Sequence, residues 1–302
     1  MMKEKNEEDY QMAFKNYLSY KSKQQEIADG VHDYSLLSSL LNINDEVRLH
    51  SRFIYSLINP ESFHYCKALF LKEFLMLIPQ AEELIKQGLF DFDNAKVEIE
   101  KDNIDLLIHD EKYMFIIENK LNAVDQLHQF TRYIKTITER FEIYGKEAIE
   151  EQIYLVYLSK NKAIPSTRSD SLKGFSFNKD QTKVTWESEI QQIAIRDKKG
   201  KINKLATEKV NFPDDTVLHY HHLPYFISSN TTSVKSIKCW LDNLKTKPQI
   251  AKNSPKVSIL FSIEEYEKVI QRLMPNYKKN VMNLSGFYKQ HDDKTDLLSF
   301  IF

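Results

Sequence analysis

Residues 103–120 read NIDLLIHDEKYMFIIENK, and the fold turns on this stretch. Two apolar runs flank a polar turn, His109-Asp110-Glu111-Lys112. In a strand, successive side chains point to opposite faces. YMFIIENK is almost continuously apolar up to Glu118, the pattern of a strand buried on both faces. Glu118 and Lys120 then share one face, while Phe115 and Ile117 pack on the other. Asp105 interrupts Ile104, Leu106, Leu107 and Ile108, where an uncompensated carboxylate is costly. If the two runs form a hairpin, Asp105 lies nearly opposite Glu118, close enough for both to hold one cation. Two carboxylates, with a backbone carbonyl and waters, suit Mg²⁺ or Mn²⁺ rather than zinc. Lys120 beside them can orient or help deprotonate a water, or stabilise a pentavalent phosphate. A lone ExK on a strand is more simply a salt bridge. The combination with Asp105, each member breaking a buried run, favours chemistry.

Working outward, KVEIEK (96–101) predicts a short strand before the hairpin. The region upstream is helical in period. One helix is expected over Asn6–Ala28, stopped by Gly30. A second starts near the Asn44-Asp45 cap and carries EVRLHSRFIYSLI to Asn59-Pro60. A third, FHYCKALFLKEFLMLI (63–78), is expected to end at Pro79. Downstream of Leu121-Asn122-Ala123, DQLHQFTRYIKTITERF (125–141) predicts a long helix and EQIYLVYLSK (151–160) a buried fourth strand. Helix, three strands, helix, strand is an α/β core with helices covering a mixed central sheet. Lys198-Lys199-Gly200-Lys201, between QQIAIRD and KINKLA, predicts a solvated hairpin inserted in the core. SVKSIKCWLDNLK is an amphipathic helix, Pro248 to Pro255 a loop, and EEYEKVIQRLM and the segment beyond Pro275 terminal helices. No linker is evident. The expectation is one domain over 1–302, with a helical part (1–90), a catalytic core (91–160), and an insertion and C-terminal helical extension (161–302).

Composition narrows the class. The chain of 302 residues is 42% hydrophobic, 28% charged and 12% aromatic with 6 Gly, which excludes disorder over most of its length. A net charge of −1 argues against a protein that coats nucleic acid nonspecifically, but a local basic patch would suffice for phosphate contacts. No apolar run is long enough to span a bilayer, and the polar, acidic opening MMKEKNEEDYQMAF predicts a cytoplasmic protein. Cys66 and Cys239 are expected as two buried free thiols. Loops of the GxxxxGK[ST] type, HExxH and GxSxG are all missing from the sequence, so ATP-driven, zinc-protease and serine-hydrolase readings have no support. His219-Tyr220-His221-His222 could place two imidazoles on one strand face, but a lone H-x-H is more often structural than a zinc site. Between Thr231 and Ser258 stand six lysines and one aspartate, with Trp240, Tyr225 and Phe226 close in sequence. Lys235, Lys238 and Lys245 are the candidates there for a phosphate-backbone patch, and a solvated lysine face is the equal alternative.

NIDLLIHDEKYMFIIENK resembles the core of the PD-(D/E)XK nucleases, which share the restriction-endonuclease-like fold. That pattern has an acid on the second core strand and (D/E)-x-K on the third, here Asp105 and then Glu118-Asn119-Lys120. Ile104 stands where the family's name puts proline. The resemblance covers about Glu46 to Lys160 and is strongest to an uncharacterised bacterial and phage-associated branch with IENK-type third strands. It implies a role for Glu46, since many members contribute a glutamate from the helix before the sheet to the metal site. On spacing alone, Glu46 reads equally well as a first-turn acid favoured by the helix dipole. Gln126, Gln129 and Tyr133 fall at three- and four-residue steps, and QFTRY looks like the Q-x-x-x-Y motif of RecB-like nucleases. Gln129 could then bind the attacking water, the lysine or a phosphate, while Tyr133 and Arg132 could reach nucleic acid.

The sequence thus predicts a Mg²⁺- or Mn²⁺-dependent nuclease acting on phosphodiester bonds. Asp105 and Glu118 hold the metal, Glu46 assists, and Lys120 positions the water. DNA is favoured by analogy, in restriction, phage defence or repair, and a homodimer or a partner protein is left open. The rivals are a catalytically silent binding or assembly module of the same fold and a phosphatase-like hydrolase using the same carboxylates.

Overall fold

The structure is a computed structural model. It describes residues 34–121, 125–160, 171–187, 191–196, 202–208, 212–226 and 235–273, together with Leu18, Lys21, Ser22, Gln25 and Ala28. Those last five are helical; the rest of the helix expected over Asn6–Ala28, the Lys198–Lys201 turn and the segment beyond Pro275 lie outside the described residues.

The N-terminal layer opens with α1 (Leu36–Leu40), capped by Ser35. Asp45 caps the next helix as expected, accepting from the Arg48 N–H at 2.8 Å. That helix begins as a wide π-type turn over Glu46–Ser51, continues as α2 (Arg52–Ile58), and ends at Asn59. The third helix is shorter than its periodicity suggests. Tyr65 and Lys67 adopt left-handed backbone (φ 53° and 51°), so only α3 (Leu69–Leu75) is helical. Pro79 does not stop a helix but starts one, α4 (Pro79–Lys86), where its missing N–H is unneeded.

The core follows as β1 (Lys96–Ile99), β2 (Leu106–His109), β3 (Met114–Lys120), α5 (Gln129–Arg140), α6 (Lys146–Gln152) and β4 (Ile153–Ser159). Helix α6 was not expected. Then come β5 (Phe175–Phe177), β6 (Lys183–Trp186), β7 (Gln191–Arg196), β8 (Ile202–Glu208), β9 (Val217–Pro224), α7 (Ile237–Lys245) and α8 (Val257–Leu273). Seven strands form one mixed sheet in the order β1-β2-β3-β4-β9-β6-β5. The β1–β2–β3 pairs are antiparallel, β3–β4 and β4–β9 parallel, and β9–β6 and β6–β5 antiparallel. Strands β7 and β8 pair antiparallel in a separate ribbon, the inserted hairpin that the sequence predicts. Every residue of β3 and β4 is buried, because helices cover both faces of the sheet. On one face Ile54, Phe74, Trp240 and Ile270 pack onto Phe115, Ile117 and Val156. On the other, Phe130, Tyr133 and Ile134 of α5 pack onto Ile116 and Leu155.

Both cysteines are free, but Cys66 is only half-buried and Cys239 is exposed, against the expectation of two buried thiols. Among the described residues no helix is long and apolar enough to cross a membrane.

Candidate active site

The β2–β3 register pairs Leu106 with Ile117. Continued by one residue, it sets Asp105, just ahead of β2, directly across from Glu118. Opposite residues of this kind have Cβ atoms about 5 Å apart. Asp105 is fastened there: its Oδ2 accepts from the Asn119 N–H at 2.7 Å. The approach to it is bent, with left-handed backbone at Glu100, Asp102 and Asn103 (φ 55°, 57° and 61°). Arg140 at the end of α5 clamps this bend, reaching Glu98 at 2.5 and 2.6 Å and Asp102 at 3.3 Å. Such backbone persists only where its surroundings hold it.

Glu118 and Lys120 face α5, as strand alternation requires. Glu118 is fully buried, and Lys120 Nζ lies 2.5 Å from its Oε1. The Tyr133 hydroxyl donates to Glu118 Oε2 at 3.0 Å, and Gln129 Nε2 donates to that hydroxyl at 2.7 Å. The two helix residues four apart thus form one chain ending on the carboxylate. Tyr133, expected to reach nucleic acid, is 3% exposed and turns its hydroxyl to Glu118. Gln126 is not on the helix at all, since α5 starts at Gln129; its N–H donates to Gln129 Oε1 at 3.4 Å. Arg132 is exposed beside the start of α5, its guanidinium on the Leu127 carbonyl and on Gln126 Oε1.

Glu46 stands at the end of the same strand. Its Oε1 accepts from the Leu121 N–H at 2.7 Å, directly after Lys120. Among the described residues no three His, Cys, Asp or Glu side chains gather into a metal-holding group, so Glu46 is not placed as a third ligand beside Asp105 and Glu118. His50 turns into the core, with Nε2–H donating to the Ile43 carbonyl at 2.8 Å and Nδ1 2.7 Å from the Tyr266 hydroxyl.

The electrostatics follow from burial. Asp105 is pushed up to about 8, by desolvation first and then by the Glu118 charge, against the Asn119 N–H and Lys120. Burial also raises Glu118, partly offset by Lys120 and Tyr133. For Lys120, burial works to lower the pKa, but contact with Glu118 and the charges of Asp105 and Glu46 raise it overall. Lys120 therefore remains an ammonium, a donor rather than a base. Two carboxylates that repel at this spacing are a matched demand for a cation. The oxygen donors fit a hard divalent ion, since Mg²⁺ is usually bound by one or two carboxylates plus waters and substrate phosphate.

The three lysines expected as a phosphate patch have acidic partners within the chain. Lys235 donates to the Met76 carbonyl and sits 2.5 Å from Glu82. Lys238 and Lys245 both straddle Asp242 and Glu267. Glu82 is shared between Lys235 and Lys86, while Lys238 and Lys245 face two acids between them. His219 stacks on Tyr154 with centroids 5.0 Å apart, and His222 Nε2 is 2.7 Å from Ser159 Oγ.

Sequence reading passed over Asn119. Its side chain points away from the carboxylates, donating to Ser51 Oγ at 2.9 Å and the Glu46 carbonyl at 3.3 Å, and accepting from Tyr225 at 2.8 Å. A polar residue at an apolar-facing strand position was the available signal. Asp125 was also missed; it accepts from Tyr157 at 3.2 Å and Ser171 at 3.3 Å, and its charge helps raise Glu118.

Residues 37–221, well over half of the chain, match a family model described as the PD-(D/E)XK nuclease superfamily. No curated protein and no solved structure matches the chain.

Proposed function

Because the chain belongs to the PD-(D/E)XK nuclease superfamily, we propose that it is a divalent-metal-dependent nuclease that hydrolyses phosphodiester bonds in DNA. The observation that carries this reading is Asp105 set across from a buried Glu118, with the Lys120 ammonium on the same carboxylate. Asp105 and Glu118 would hold Mg²⁺ or Mn²⁺. Once bound, the cation supplies a Lewis acid that draws electron density from the phosphate.

The chain's own residues do the rest. Lys120 keeps its proton and offers N–H donors where negative charge grows on the phosphate oxygens, or to the attacking water. Tyr133 and Gln129 hold Glu118 in one orientation. Glu46 fixes the end of β3 through the Leu121 N–H, a positioning role rather than a ligand's. Arg132, exposed beside this face, is the proposed phosphate contact.

The test is incubation of the purified protein with plasmid, linear and single-stranded DNA and with RNA, in Mg²⁺, Mn²⁺ or EDTA. Cleavage of DNA in either metal and none in EDTA is expected. Cleavage that persists in EDTA would overturn the reading; no cleavage together with no metal binding would leave a silent module.

A second expectation separates orientation from contact. Tyr133→Phe should slow cleavage about 10–100-fold, the usual cost of losing a group that orients a metal-holding side chain. Nucleic-acid affinity should be unchanged. A weakened Kd with an intact rate would instead put Tyr133 on the substrate.

A further inference from the structure

The helix α8 and the residues after β9 lie beyond the region that the family model covers, yet they reach the centre of the site. Asn119 is the link. It sits between Glu118 and Lys120, is 1% exposed, and presents its amide to the face opposite the carboxylates. That face is otherwise an apolar layer of Phe115, Ile117, Leu158 and Leu223. Packing alone would favour an aliphatic residue there, because a buried amide is costly unless its bonds are made. Here they are made, and the partners come from two separate parts of the chain.

From the N-terminal layer come Ser51 Oγ and the Glu46 carbonyl. From the segment after β9 comes Tyr225, wholly buried, whose hydroxyl donates to Asn119 Oδ1. Tyr225 is anchored by its N–H on the Ser159 carbonyl at 2.9 Å and by the Lys238 N–H on its own carbonyl at 2.9 Å. Its hydroxyl also meets that of Tyr266 on α8. Tyr266, likewise buried, stacks on Phe53 of α2 at 3.9 Å and touches His50. One continuous polar path therefore runs from α8 through the core to the middle of the Glu118-Asn119-Lys120 triplet.

We infer that Tyr225, with Tyr266 behind it, is a positioning device for the active site, so that the C-terminal extension is an integral part of that site. The inference rests on the nuclease reading above. The reasoning is mechanical. The Asn119 peptide N–H holds Asp105, and the side chains on either side of it are Glu118 and Lys120. Fixing the amide of Asn119 fixes the pleat of the strand at that residue. It thereby sets the mutual direction of all three groups. Networks of this sort act cooperatively in a low-dielectric interior, so loss of one hydroxyl is felt along the path.

The test uses the full-length protein. Tyr225→Phe keeps the ring and its packing and removes only the hydroxyl. Mn²⁺ affinity by calorimetry, kcat and KM on cleaved DNA, and the thermal midpoint are measured together. Mn²⁺ affinity and kcat should each fall about 10–100-fold, with KM unchanged. Tyr266→Phe, one step further from Asn119, should move both in the same direction by less. Tyr220→Phe is the control. Its hydroxyl is buried and has no hydrogen-bond partner among the described residues, and its removal should change neither quantity. If Tyr225→Phe and Tyr266→Phe both keep the wild-type kcat and Mn²⁺ affinity, whatever their thermal midpoints, the network only supports the fold and the inference is overturned. If the wild type itself neither binds Mn²⁺ nor cleaves, the nuclease reading fails first and the inference with it.

Discussion

Asp105→Asn is expected to abolish cleavage and, in the same protein, to raise the stability of the metal-free state. Asparagine preserves shape and still accepts from the Asn119 N–H, so the fold keeps its hydrogen bond. What it removes is the charge. Folded Asp105 has its pKa raised to about 8, from 3.8, by burial and by Glu118. Between those two values the folded protein holds a proton that the unfolded chain has lost. Stability of the wild type therefore falls as pH rises through that window, by on the order of 1 kcal/mol per pH unit at most. Above pH 8 both states are ionised and the penalty is constant. The advantage of Asp105→Asn should accordingly grow from about pH 4 to pH 8 and then level off. Saturating Mn²⁺, which at 100 times its Kd stabilises the wild type by about 2.7 kcal/mol and gives the variant nothing, should offset part of that advantage at pH 8 and reverse the order below about pH 6. Thermal unfolding at several pH values, with and without Mn²⁺, measures this directly. A variant less stable than the wild type at pH 8 without metal would mean that Asp105 is a structural acid.

Lys120→Ala should also suppress cleavage strongly, but by a different route. The ammonium now touches Glu118 Oε1, and without it a fully buried carboxylate loses its ion partner. Breaking a buried pair from one side costs about 3–5 kcal/mol, so the metal-free variant should be clearly destabilised. Cation binding, however, should be retained or tightened, because nothing competes for that oxygen. Mn²⁺ should restore much of the lost stability. Cleavage should remain low, by about 10²–10³-fold, since the cation cannot replace a donor aimed at the developing charge. A folded Lys120→Ala protein with the wild-type rate would remove Lys120 from the chemistry. One that no longer binds Mn²⁺ would mean that Lys120 organises the carboxylates rather than acting on substrate.

Asp105, Glu118 and Lys120 are legible in the sequence because their geometry is local. A short polar turn makes the hairpin, and alternation along each strand assigns the faces, so a spacing of thirteen residues becomes a position across a ladder. The Gln129–Tyr133 pair is legible as a face of α5 for the same reason, but its target is not. Helical spacing states that two side chains are neighbours and says nothing of whether solvent or a buried glutamate lies in front of them. Gln126 illustrates the limit: the helical pattern continues through it, while the backbone of His128 is left-handed and the helix starts one residue later. Glu46 lies near the site as the resemblance implies, although its oxygen is committed to a backbone N–H. The acidic partners of the lysines are not legible because they are remote. Lys235 meets Glu82 across 153 positions, and Lys238 and Lys245 meet Glu267 from the next helix. Tyr225 and Tyr266 have no local signature; only the assembled core brings them to Asn119 and His50.

The central claim is that Asp105 and Glu118 together hold a divalent cation, and calorimetric titration of Mn²⁺ into the metal-free wild type at pH 7 tests it most directly. With Asp105 raised to about 8, most molecules carry its proton at that pH, and the cation must displace it. The account predicts one cation per chain, release of roughly one proton seen as a dependence of the heat on the buffer, and loss of both in Asp105→Asn. Mn²⁺ binding that is undiminished in Asp105→Asn, or no binding by the wild type, would contradict it.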